Sequence, residues 1–149
     1  MRKQGMLGKL LIVSAGPLLA VLGVLVWGWL TEDGDGSDRS DRAGAAMVAV
    51  SVPELGGQAL EGESLFKDNC AVCHGVNAAG RDGAGPPLVH RIYEPGHHGD
   101  GAFLLAALRG VRAHHWPFGD MPPVEGVSQS DVESIVAYVR LLQRANGIN

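Results

Sequence analysis

The chain has 149 residues, 46% of them apolar, with 22 glycines and a formal net charge of −4. That length suits one domain of ordinary size plus an appendage. The acidic balance leaves no basic footprint for nucleic acid, and two cysteines three positions apart exclude a disulfide scaffold.

Residues 1–30 carry Arg2, Lys3 and Lys9 and no acid, and from Leu10 to Leu30 there is no charge at all. As a helix that run would reach about 30 Å, the thickness of a bilayer's hydrocarbon layer. Trp27 and Trp29 stand at its outer end, where indoles favour the headgroup region. Basic residues precede it, and Glu32, Asp33 and Asp35 follow it. The positive-inside rule then puts the N-terminus in the cytoplasm and the remainder outside. A cleaved signal peptide is the competing reading. Its apolar core is ordinarily shorter and ends at small residues, whereas this run ends in Trp-Gly-Trp-Leu. The expectation is an uncleaved, single-pass anchor over residues 1–30 in a bacterial inner membrane. A flexible, hydrated linker follows over 31–52, rich in Asp, Gly, Ser and Arg, with an apolar stretch from Met47 that could pack on the domain edge. Residues 53–149 form the exported, periplasmic domain.

Three helices are predicted in that domain, and no stretch alternates as a strand, so its class is all-α. The first spans about Gly57 to Asn69, with Leu60, Leu65 and Phe66 as apolar positions. The second starts near Asp100 as N-cap and presents Leu104, Leu105 and Leu108 before Gly110 ends it. The third opens on the S-x-x-D capping signature of Ser128 and Asp131. It carries Val132, Ile135, Val136, Val139 and Leu142 on one stripe and ends at Asn146-Gly147. Two long Gly- and Pro-rich loops, 75–99 and 110–127, are unusual in so small a helical domain unless they wrap a large rigid ligand. Only 5% of residues are aromatic, which also suits a core built around something other than protein.

Cys70-Ala71-Val72-Cys73-His74 points to that ligand, because C-x-x-C-H is the attachment signature of c-type haem. Two thiols on one helical turn can add to the two vinyl groups of the porphyrin, and the following His74 then lies under the iron. A thioredoxin-type site would need a βαβ pattern, and a structural zinc site would need two further ligands from scattered histidines.

With these features the chain resembles the class I cytochromes c, which carry a single His/Met-ligated haem. The resemblance covers residues 57–144. Gly62-x-x-x-Phe66-x-x-x-Cys70 looks like the family's first helix, and Ile135-Val136-Ala137-Tyr138-Val139 its last. Gly85-Pro86-Pro87-Leu88 resembles the loop in which the Pro carbonyl accepts the proximal His N–H and Leu packs on the haem. Met121, within Gly119-Asp120-Met121-Pro122-Pro123, resembles the distal ligand. The resemblance implies one covalent haem c on Cys70 and Cys73, with His74 and Met121 as axial ligands. A thioether is a soft donor that favours Fe(II), and Met121 is the only methionine of the 53–149 domain. Trp116 and Phe118, near Met121, are expected in the haem wall beside Pro86 and Leu88.

His90, His97, His98, His114 and His115 leave several roles open. They could be solvated loop residues, contacts for haem propionates together with Arg109 and Arg112, ligands of a second metal, or replacements for Met121. Paired histidines on both loops depart from what the family requires.

A haem with both axial positions filled has no open coordination site, so the expected role is electron carriage rather than catalysis. No residue set for acid/base or nucleophilic chemistry is visible. The expectation is a membrane-tethered carrier between respiratory or photosynthetic complexes, without a small-molecule substrate. The alternatives are a fixed cytochrome subunit of a larger oxidoreductase or, without Met121 on the iron, a five-coordinate sensor or peroxidase-like haem.

Overall fold

The structure, a computed structural model, describes residues 43–149. The expected anchor, and the linker as far as residue 42, lie outside the described residues. Among the residues described, no helix is long and apolar enough to cross a membrane.

The described residues form helix α1 (Gln58–Asn69), a short α2 (Ala71–His74), 3-10 turns at Val76–Ala78 and Arg91–Tyr93, α3 (Asp100–Arg109) and a long α4 (Gln129–Ala145). No strand occurs among them. The extended pairing is confined to two isolated bridges, Arg81 with Gly85 and Val111 with Met121.

Helix α4 is the organising element. Its N-terminus is closed by a reciprocal capping box: Ser128 Oγ accepts from the Asp131 N–H, and Asp131 Oδ2 accepts from the Ser128 N–H. All five residues of its apolar stripe are buried. Helix α1 crosses it where Gly62 faces Ser134; a Cβ on Gly62 would collide with the Ser134 carbonyl. The close approach brings Phe66 and Tyr138 together with ring centroids 5.6 Å apart. Leu60, expected on the apolar side of α1, is instead 53% exposed.

Helix α3 begins one residue away from its expected start. Gly99 is the cap and Asp100 is the first helical residue. The Asp100 carboxylate is engaged elsewhere, accepting from Arg140 Nε at 2.7 Å. Gly110, at φ 77°, ends the helix in the left-handed region. Leu108 is exposed and lies off the cavity, whereas Ala102, Phe103, Leu105, Ala106 and Ala107 line it, Leu105 with half of its surface still exposed.

Two features hold the 75–99 loop. Asn77 and Ala78 both take positive φ, 55° and 58°, a region that residues with a Cβ rarely adopt. This turns the Ala78 carbonyl to accept both the Leu88 and Val89 N–H groups. The second is a buried polar node on α4. Gln143 donates to the Leu88 and Tyr93 carbonyls, while Arg140 donates to the Tyr93 and His98 carbonyls and to Gln143 Oε1. The Arg140 guanidinium also lies over the Phe103 ring, 4.8 Å from its centroid.

The last part of the expected linker is laid on the domain. Gly44, Met47 and Val48 donate backbone hydrogen bonds to the 79–82 region, and Ala45 accepts one from Asp82. Ser51 and Asn146 exchange a pair of bonds. Val50 packs against the core.

Candidate functional site

A cavity of about 570 Å³ opens between the loops and the inner faces of α3 and α4. Its wall is overwhelmingly apolar, as in pockets that hold organic cofactors. Cys70, His74, Pro86, Leu88, Trp116, Phe118 and Met121 all line it. Of the eight site residues expected from sequence, only Cys73 does not, and it lies on the exposed side of the same short helix.

The five-residue motif is built by the junction of α1 and α2. The Cys70 N–H donates to Phe66 O, and the Cys73 and His74 N–H groups donate to Cys70 O. Burial, and then the neighbouring Cys73, push the Cys70 thiol up to about 11. Gly75 and Gly85 allow the chain to return close to the motif, since a Cβ on Gly85 would press on the Cys73 carbonyl.

His74 Nδ1 donates to the Pro86 carbonyl at 2.9 Å. Because a carbonyl only accepts, Nδ1 carries the proton and Nε2 presents its lone pair. Burial lowers the His74 pKa, and the bond to Pro86 opposes that only in part. The imidazole is therefore held neutral, oriented and competent as a metal ligand.

Met121 is positioned by a two-bond exchange with Val111, each N–H donating to the other's carbonyl at 2.9 Å. Gly110 makes this possible, because a Cβ there would press on the Met121 carbonyl. Trp116 and Phe118 stack at 6.1 Å, and His90 packs edge-on against Trp116. The Trp116 Nε1–H is buried and has no hydrogen-bond partner among the described residues. A buried donor without an acceptor is costly, and an acidic ligand in the cavity would satisfy it.

The apolar volume, the two cysteines, the oriented imidazole, the thioether and the unmatched indole donor together fit a haem. Arg112 lines the cavity and Arg109 does not. His98, His114 and His115 stand on its rim with Arg112. His115 is pushed below the usual imidazole range by desolvation first and then by His114, His98 and His97. Sequence reasoning missed Arg140 and Gln143, which look like solvent-facing positions of an amphipathic helix but are buried and organise the loop behind the site. It also missed Tyr93, Phe103 and the α3 alanines as cavity walls.

The sequence pattern of the cytochrome c family matches residues 59–143. The chain is also similar to the cbb3-type cytochrome c oxidase subunit CcoP of Cereibacter sphaeroides. The two are 32% identical over 107 residues, covering 66% of this chain and 34% of that protein. The chain thus matches about a third of that curated relative's length.

Proposed function

The chain belongs to the cytochrome c family, and from that premise we propose that it is a membrane-tethered carrier bearing one haem c, held by Cys70 and Cys73 and ligated by His74 and Met121. The family implies the covalent haem and an electron-transfer role. The carrying observation for the rest is one apolar cavity lined by Cys70, His74 and Met121, with His74 already oriented by Pro86. When bound, the haem supplies a one-electron iron couple. The protein fixes the donor set, and the stacked Trp116 and Phe118 help to keep water off one wall. The apolar lining and the soft Met121 donor both favour the less charged ferrous state and so raise the potential.

The tether, the inner-membrane location and the periplasmic side rest on the uncharged Leu10–Leu30 run and the basic residues before it. The partners are redox complexes of that membrane. The test is an optical and potentiometric titration of the full chain purified from membranes, with haem counted per chain. One haem, a reversible one-electron transition and a near-infrared band of sulfur-ligated ferric haem support the reading. Met121→Ala should remove that band, lower the potential and admit CO. An unchanged spectrum in Met121→Ala would reject Met121 as the ligand.

A second reading, a fixed subunit of an oxidase complex, is favoured by the similarity to CcoP and by the docking of residues 44–51 on the domain. Purification in mild detergent separates the two. Stoichiometric co-migrating subunits support the fixed role, and a haem protein that migrates alone supports the shuttle.

A further inference from the structure

We propose that His97, His98 and His115 form a binding site for one divalent metal ion of zinc-like preference, at the solvent-facing rim of the haem cavity. The three imidazoles come from two loops, the turn after Tyr93 and the loop that carries Trp116 and Met121. One ligand nitrogen from each lies within 4.8 Å of the other two.

The spacing of one pair is already that of a coordination shell. The Nε2 atoms of His97 and His115 are 3.3 Å apart. Two nitrogens bound to one tetrahedral zinc at 2.0–2.1 Å stand about 3.3–3.4 Å from each other. A simple hydrogen bond between His97 and His115 accounts for that single contact, but not for the convergence of a third imidazole on the pair.

The third imidazole is prepared in the manner of a metal ligand. His98 Nδ1 donates to the Ile92 carbonyl at 2.6 Å, which fixes the tautomer and leaves the Nε2 lone pair free. The backbone behind it is equally fixed, because the buried Arg140 guanidinium binds the carbonyls of Tyr93 and His98. His97 and His115 are exposed, so an ion has a path to the site.

The donor chemistry selects the ion. Three imidazoles with no carboxylate among them suit zinc and other late first-row ions, and they do not suit magnesium or calcium. Three protein ligands leave a fourth position to water. His114 lies against His115, with centroids 4.3 Å apart, but stands outside the group, its Nδ1 donating to Arg112 O at 2.8 Å. A bound ion would link the turn after Tyr93 to the 110–127 loop, bracing the segment that holds Trp116, Phe118 and Met121. The site rests on the reading that Met121, and not His115, is the sixth ligand of the haem.

The experiment is calorimetric titration of the full-length, haem-loaded protein with zinc chloride, followed by zinc-edge X-ray absorption, which the haem iron does not disturb. The expected result is one zinc per chain in an all-nitrogen and oxygen shell, unaffected by millimolar magnesium. His97→Ala, His98→Ala and His115→Ala should each weaken binding at least ten-fold, and His114→Ala should stay within about three-fold. The haem spectrum of each variant reports that it has folded. Absence of saturable zinc binding overturns the proposal, as does equal binding by the variant lacking all three histidines. Dependence on His114 but not on His97 overturns it as well.

Discussion

Where α1 crosses α4, Phe66, Tyr138, Val139 and Leu142 are fully enclosed by other protein atoms. On the side built by α3 and the 110–127 loop, no residue of α3 is fully buried, and Leu105 and Leu108 remain 50% and 40% exposed. Both regions rest on the same helix α4, so the difference lies in what each packs against. The crossing is closed by side chains meeting at a glycine. The other side turns alanines, valines and aromatic rings toward a cavity, and their packing partner is the haem. The first region should therefore hold its shape on its own packing, and the second should depend on its cofactor.

The strongest way to break that comparison is to deprive the chain of its haem. Cys70→Ala with Cys73→Ala should abolish haem staining on a denaturing gel. Hydrogen exchange should then show the largest loss of protection in α3 and the 110–127 loop, with residual protection confined to α1 and α4. Protection of α3 equal to that in the haem-loaded protein would show that the cavity side is self-supporting.

Next in size is a change to the crossing itself. Alanine ordinarily favours a helix over glycine by about 1 kcal/mol, yet Gly62 has no room for a Cβ, and the obstacle is the Ser134 backbone rather than a movable side chain. Gly62→Val should destabilise the haem-loaded protein by about 3 kcal/mol in denaturant titration, the upper end for overpacking. A cost below 1 kcal/mol would mean that the two helices slide apart without penalty.

Arg140→Met probes the link between the regions. It keeps the apolar stem but removes donors to the Tyr93 and His98 carbonyls and to Gln143. Asp100 loses little, since its side chain is 72% exposed. A cost of about 2 kcal/mol is expected, with faster exchange centred on residues 93–98. Uniform loosening of α1 instead would contradict the role of Arg140 as the support of the loop.

These contrasts also explain what was legible in the sequence. The helices whose ends are written in local chemistry were found: the Ser128–Asp131 box and the Gly110 stop both act within a few residues. The haem motif was legible for the same reason, since Cys70, Cys73 and His74 share one turn. Arg140 and Gln143 were not, because a charged or amide residue in an amphipathic helix reads as solvent-facing until a distant carbonyl is known to lie beside it. Leu108 misled in the opposite sense, for it stays 40% exposed and off the cavity that Leu105 and the α3 alanines line. The convergence of His97, His98 and His115 crosses two loops, and spacing along the chain carries no trace of it.

The smallest expected effect concerns the cap of α4, and it sharpens the comparison because α4 serves both regions. Asp131 is held below the ordinary carboxylate range, chiefly by its bonds with the Ser128 backbone and side chain. A carboxylate with a depressed folded pKa stabilises the fold above its unfolded value, near pH 4, and that contribution fades as pH falls through the folded value. The gap in Tm between the unaltered protein and Asp131→Asn should therefore be complete at pH 6–7 and shrink progressively below about pH 4. Ser128→Ala removes the other half of the box and should cost about 1 kcal/mol at neutral pH, or about 4–8 °C in Tm for a domain near 100 residues. Exchange should quicken mainly in the first turn of α4, where the freed N–H groups lie, while the Phe66–Tyr138 contact and the cavity walls stay unchanged. A gap between the unaltered protein and Asp131→Asn that persisted undiminished to about pH 2 would show that the cap does not depend on the ionised carboxylate.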